Sequence, residues 1–251
     1  MMESLAGFVI AIAVGMTGMG GGALMAPALI LFFGVPAVEA VGTSLLFVTV
    51  TKMVAAPMYI VRKSVDWKTL GRLLLGGLPG VLAGSLLLGR LSKRNLEPAV
   101  LTLVGSTIVV IAGLTLARML WGKRAMRGSD RPKMLPLATF PIGLEVGFSS
   151  AGAGALGSLL LMNATTLEAS TIVGTDMLFG WAVAMLGGGV HFAMGGVDMA
   201  LAGKLIAGGV FGALAGSWLA TWLPSRTLRY ALTGFLVFLG GQLLWKGIGG
   251  L

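Results

Sequence analysis

Apolar residues run along this chain in long blocks, and polar residues collect in the short gaps between them. The first block extends from about Leu5 to Phe33 and is interrupted by Gly15-Met-Thr-Gly-Met-Gly-Gly-Gly22. Gly34-Val-Pro-Ala marks a turn, and a second block follows from about Val41 to Val61. Arg62, Lys63, Asp66 and Lys68 lie in a charged loop before the third block, about Leu70 to Leu88. Arg90, Lys93 and Arg94 end that block, and the fourth runs from about Ala99 to Leu120. One crossing of a bilayer takes about 20 apolar residues as a helix. Blocks two to four each predict one spanning helix. The first block is longer than one span and broken. Glycine weakens a helix and permits close approach. Irregular backbone at membrane depth survives only where it is buried in protein or lines a cavity. The break therefore predicts a ligand site, or else a glycine seam between close-packed helices.

The same pattern returns 132 residues later. Gly147-Phe-Ser-Ser-Ala-Gly-Ala-Gly154 interrupts another long apolar block. Gly15 aligns with Gly147, Thr17 with Ser149, Gly20 with Gly152, and Gly22 with Gly154. Gly42-Thr43 aligns with Gly174-Thr175, Val65-Asp66 with Val197-Asp198, and Leu82-Ala83-Gly84-Ser85 with Leu214-Ala215-Gly216-Ser217. One constant shift over so many landmarks predicts two homologous helical repeats, each opening with a glycine-broken helix or hairpin. Paired interrupted helices point to the binding site of a transporter. The division is a first transmembrane repeat over 1–117, a basic linker over 118–133 and a second repeat over 134–251. Within segment three, Gly76, Gly80 and Gly84 are four apart and share one helix face, a seam for helix contact.

Composition sharpens this picture. Hydrophobic residues make up 56% and charged residues 11%, against about 25% charged in soluble domains. The fold class is therefore an all-α polytopic membrane protein. The net charge of +9 does not point to nucleic acid, because basic residues of membrane proteins gather in cytoplasmic loops. Cysteine is absent and histidine occurs once, which excludes disulfides, thiolate metal sites and a multi-histidine site. No cofactor is expected. The opening Met-Met-Glu-Ser lacks the basic start of a signal peptide, so the first helix is expected to be retained. If each glycine break is a single crossing, the repeats are parallel; if it is a hairpin, they are inverted. Twelve cations fall on one side and five on the other in both cases. Both place the central linker in the cytoplasm. The spare apolar length of block one favours hairpins, and hence inverted repeats. A multi-pass protein of the cell inner membrane is expected, with the lipid bilayer as partner and a homodimer among the assemblies allowed.

Gly18-Met-Gly-Gly-Gly22 with Pro27, Gly34-Val-Pro, Val41-Gly-Thr-Ser44, Val65-Asp-Trp67 and the Gly80/Gly84 pair together resemble the TauE/SafE family, the sulfite exporter or 4-toluene sulfonate uptake permeases. The resemblance covers nearly the whole chain. It implies a permease for sulfite, sulfonates or related sulfur-containing acids. The second copy departs from the first, with Gly152-Ala-Gly154 for the triple glycine and Asp176 where the first copy has Ser44.

Lys52 is the most informative single residue. It lies midway along segment two, where a cation costs about 2.5–3.5 kcal/mol on the insertion scale and needs a partner or a wet cavity. Snorkelling to an interface is the plainer reading. Asp176 is the candidate acid: a partner for Lys52, a proton carrier, or a helix cap. Glu145 is either buried or interfacial, and His191 reads as a satisfied interfacial histidine. The start of a half-helix carries roughly +0.5 charge and binds anions. Two such starts, at Gly20, Gly21 and Gly22 and at Gly152 and Gly154, would face each other across the repeats. Lys52 would supply charge. Hydroxyls of Thr17, Thr43, Ser44, Ser149 and Thr175, together with Asp176, would complete the site. The expected function is a secondary carrier of a small sulfur-containing anion, working by alternating access. An anion channel, a carrier of a non-sulfur carboxylate and a non-transporting scaffold are the alternatives. No nucleophile–base or metal set is visible, so an enzyme is not expected.

Overall fold

The computed structural model describes residues 2–17, 22–93, 97–120, 134–219 and 225–249. Their regular structure is almost entirely α-helix: α1 (Met2–Thr17), α2 (Gly22–Phe32), α3 (Ala37–Val61), α4 (Trp67–Lys93), α5 (Glu97–Leu120), α6 (Leu135–Ser149), α7 (Ala153–Ala164), α8 (Ala169–Ala193), α9 (Met199–Leu219) and α10 (Ser225–Ile248). Helices α3, α4, α5, α8, α9 and α10 are long and apolar enough to cross a membrane. The two interrupted blocks become pairs of shorter helices, α1 with α2 and α6 with α7. The structure is that of a multi-pass membrane protein, as composition required.

Residues 132 apart make matching contacts, and each contact joins one half to the other. Gly76, Gly80 and Gly84 of α4 lie against backbone carbonyls of Pro136, Phe140 and Leu144 of α6. Gly208, Gly212 and Gly216 of α9 lie in the same way against Ser4, Phe8 and Ile12 of α1. A methyl at any of these six glycines would collide with backbone, so both seams require residues without a side chain. The broken helices therefore pack across the halves. The two halves interlock rather than standing side by side as separate bundles.

Directions follow from the same contacts. In each seam the numbering rises together on both helices, so α4 runs parallel to α6 and α1 parallel to α9. Gly42 meets His191, while Gly187 and Gly188 meet Leu45 and Leu46, so α3 and α8 are antiparallel. Gly105 meets Leu243 and Leu244, and Gly247 meets Thr102, so α5 and α10 are antiparallel as well. Ser158 meets Asp176 across the 165–168 turn, so α7 runs back along α8. Gly77 contacts Phe179 and Val183, and Val81 contacts Gly187, so α4 and α8 are parallel. Helix α6 thus runs with α8 while α7 runs against it, and this pair is a hairpin. Equivalent helices in opposite directions are the relation inverted repeats require.

Two caps hold this arrangement at its turns. Asp66 Oδ2 accepts the Thr69 N–H at 3.1 Å, and Asp198 Oδ1 accepts the Leu201 N–H at 2.9 Å, each at the start of its helix. An N-cap carboxylate satisfies an amide that the helix leaves free. The N–H of Asp66 donates to Thr175 Oγ1 at 3.0 Å, and that of Asp198 to Thr43 Oγ1 at 3.3 Å. The Val-Asp pairs of the sequence are thus helix caps that also bind the opposite half.

Candidate functional site

Between α6 and α7 the chain turns through two residues of positive φ, Ser150 at 62° and Gly152 at 89°. Helix α6 ends with Ser150 N–H donating to the Val146 carbonyl at 2.8 Å, and Gly152 is the N-cap of α7. Ser149 Oγ donates to Glu145 Oε1 and accepts the Ala151 N–H at 3.2 Å, which stitches the break closed. The second Glu145 oxygen fills the space over Gly152 that a side chain would take, and it has no hydrogen-bond partner. Glu145 therefore sits inside the hairpin and not at an interface.

The N-terminus of α2 meets this turn. A methyl on Gly22 would run into the Ser150 carbonyl and hydroxyl oxygens. The Ser150 hydroxyl is buried without a hydrogen-bond partner. A small cavity opens here, walled by Gly22, Ala23, Val146, Ser150, Gly152 and Gly154 from the broken segments. Leu45, Val48 and Lys52 of α3 and Ala184 of α8 close it. Gly22 and Gly154 are 132 apart, and so are Lys52 and Ala184. The cavity therefore draws on equivalent positions of both halves, but only one of them is charged.

Lys52 is 7% exposed, and no carboxylate among the described residues lies within salt-bridge distance of it. Snorkelling to an interface does not describe this side chain. Its electrostatic counterpart is Asp176 on α8, 4% exposed. Asp176 Oδ2 accepts the Ser158 hydroxyl at 2.6 Å, while Oδ1 lies against Gly157 and is unpaired. Asp176 does not line the cavity.

Of the residues marked in the sequence, Gly22, Lys52, Gly152 and Gly154 come together around the cavity. Thr43 and Thr175 are fully buried, but they are occupied at the caps. Ser44 donates to the Val41 carbonyl of its own helix at 2.9 Å. Ser149 is engaged within the break. None of these four hydroxyls forms part of the cavity wall. The backbone of Thr17 ends α1, and Gly20 and Gly21 lie outside the described residues. Ser150 and Ala184 went unmarked in the sequence. Ser150 lay inside the flagged 147–154 motif, and Ala184 follows from Lys52 by the 132-residue shift. His191 is fully buried, contrary to the interfacial position expected. Its Nε2 faces the Gly147 carbonyl at 3.1 Å and so ties α8 to the hairpin. Among the described residues no cluster of histidine and acidic side chains could hold a metal.

A buried cation where interrupted helices meet, inside a multi-pass membrane protein, describes a membrane transporter. Comparison with known proteins agrees. The chain belongs to the sulfite exporter TauE/SafE family, whose sequence model matches residues 4–243. It is 30% identical over 251 residues to the probable membrane transporter protein YjnA of Bacillus subtilis (strain 168), covering 96% of this chain and 98% of that protein. It is 25% identical over 258 residues to the probable membrane transporter protein YunE of the same organism, covering 92% of each. No solved structure matches the chain.

Proposed function

We propose that this protein is a secondary carrier for a small sulfur-containing anion, such as sulfite or a sulfonate, that binds at Lys52 between the broken segments. The observation that carries this reading is the buried Lys52 ammonium, with no carboxylate in salt-bridge contact, beside the N-terminal ends of α2 and α7. A buried cation without a direct ion pair is costly, and an arriving anion that contacts it offsets that cost. Amides in the first turns of α2 and α7, which a helix leaves without an intrahelical partner, and the unpaired Ser150 hydroxyl suit the oxygens of an oxyanion. Gly20 and Gly21 belong to the same glycine-rich stretch of the sequence. The sulfur class of the substrate rests on the family, whose name refers to sulfite.

Alternating access follows from the two interlocked repeats, 1–117 and 134–251, joined by the basic linker 118–133. Each hairpin slides along its glycine seam and opens the site to one side or the other. The excess of Lys and Arg in and beside the linker supports a cytoplasmic position for it, in a protein of the cell inner membrane. The test is binding of sulfite, methanesulfonate, taurine, thiosulfate and acetate by purified protein. Saturable binding of a sulfur oxyanion that fails in Lys52→Met supports the reading. Equal binding by both proteins refutes it.

A further inference from the structure

We propose that Asp176 carries a proton that crosses the membrane together with the anion. The inference rests on the carrier reading above and adds the coupling ion. Asp176 is the counter-charge of Lys52 and yet forms no salt bridge with it among the described residues. It is not among the residues that line the cavity. The empty site thus holds one ammonium and one carboxylate, and its net charge is zero. An anion that binds Lys52 takes this charge to minus one among buried side chains. A proton on Asp176 returns it to zero. Loaded and empty forms are then both neutral, and neither pays the desolvation of an unbalanced charge when the hairpins move.

The surroundings of Asp176 admit a proton. Oδ2 accepts one hydrogen bond, from Ser158, and Oδ1 is unpaired against Gly157. A protonated carboxyl keeps the Ser158 bond on one oxygen and carries its hydrogen on the other. The other elements packed on α8 bring no competing charge to it. From α3 comes Lys52 alone. Helix α7 presents Ser158. At the start of α4, Asp66 is turned to its own cap at Thr69. Helix α6 brings Glu145, whose Oε1 accepts the Ser149 hydroxyl while the unpaired Oε2 lies over Gly152 inside the hairpin break. On α8 itself, His191 lies just over four turns away against Gly147.

The balance is one proton for each monovalent anion, in either direction. It is tested with the full-length protein in liposomes that enclose a pH dye, with the membrane potential clamped. The probes are methanesulfonate, isethionate and ethanesulfonate, monovalent anions of strong acids that cannot themselves carry the proton at neutral pH. An inward gradient of the transported probe should acidify the lumen in step with its uptake. In Asp176→Asn the acidification per anion moved should fall at least tenfold, while some anion exchange persists. Glu145→Gln should keep the coupling. Because Asp176→Asn removes a buried charge, the wild type gives an independent measure: affinity for the probe should fall about tenfold per pH unit once the carboxyl has ionised. Uptake without acidification overturns the proposal, as does pH-independent affinity or loss of coupling in Glu145→Gln alone. Absence of binding of all three probes and of sulfite by the wild type removes the anion site itself.

Discussion

Lys52 and Ala184 occupy equivalent positions of the two halves and line the same cavity. The charge of the site is therefore one-sided although its frame is paired. Lys52→Met should weaken anion binding by about 30-fold or more, the effect of roughly 2 kcal/mol, because a desolvated charge contact is lost. Lys52→Arg should lose less. Moving the charge should restore part of the affinity: Lys52→Ala combined with Ala184→Lys places an ammonium at the same cavity from the opposite wall. Calorimetric titration with the best-bound anion checks all three. Recovery no better than in Lys52→Ala would show that the two positions are not interchangeable around the ligand.

Thr43 and Thr175 give a prediction of the opposite kind. Each hydroxyl accepts the N–H of the cap residue that starts a helix of the other half. Valine has the same shape and leaves that amide unpaired, at about 1–3 kcal/mol. Thr43→Val and Thr175→Val should each lower the melting temperature of the purified protein and leave anion affinity within about twofold. A large loss of affinity at unchanged stability would return these hydroxyls to the binding site.

These threonines mark the limit of what the sequence discloses. The breaks, the 132-residue shift and the six long spans were legible, because glycine clusters and apolar length leave a direct trace. The fate of each hydroxyl was not. Thr43, fixed at a cap, and Ser150, facing the cavity, differ in position only after folding. The packing of α1 on α9 was hidden for a related reason. In a membrane the lipid is as apolar as the core, so lipid-facing Leu75 and fully buried Leu73 look alike in sequence. The glycine seam of segment three was visible, but its partner across the halves was not. Of the site, Lys52 and the glycines were legible through their cost, while the apolar wall and Ser150 were not.

An inverted arrangement predicts a labelling pattern. Pro36 and Glu168 are equivalent residues just before α3 and α8, and those helices run antiparallel. They should lie on opposite sides of the membrane. The chain has no cysteine, so Pro36→Cys and Glu168→Cys give single labelling sites. In intact cells a membrane-impermeant maleimide should label one variant and, after permeabilisation, both. Labelling of both from the same side would require parallel repeats and a different path through the breaks.

The last prediction separates the two uses of glycine. Gly22 stands where α2 meets the Ser150 carbonyl at the cavity, and Gly80 stands in the α4–α6 seam against Phe140. A side chain is excluded by backbone at both places, but the neighbours differ. At Gly80 the obstacle is another helix along its length, so Gly80→Val should force α4 and α6 apart and cost about 1–3 kcal/mol or more in stability, with lower yield of monodisperse protein. At Gly22 the obstacle is the Ser150 carbonyl and hydroxyl of a turn next to a cavity, so a methyl fits only if that turn shifts. Gly22→Ala, the smaller change, should cost less stability than Gly80→Val while it displaces the Ser150 hydroxyl and narrows the approach to the α2 amides. Anion affinity should fall at least tenfold. Thermal melts and binding on the same purified samples decide the matter. Lost binding with a near-native melt in Gly22→Ala, beside a lowered melt in Gly80→Val, separates site from seam. Equal destabilisation in both would make the break at Gly22 a packing device, and the amides of α2 would have no part in holding the anion.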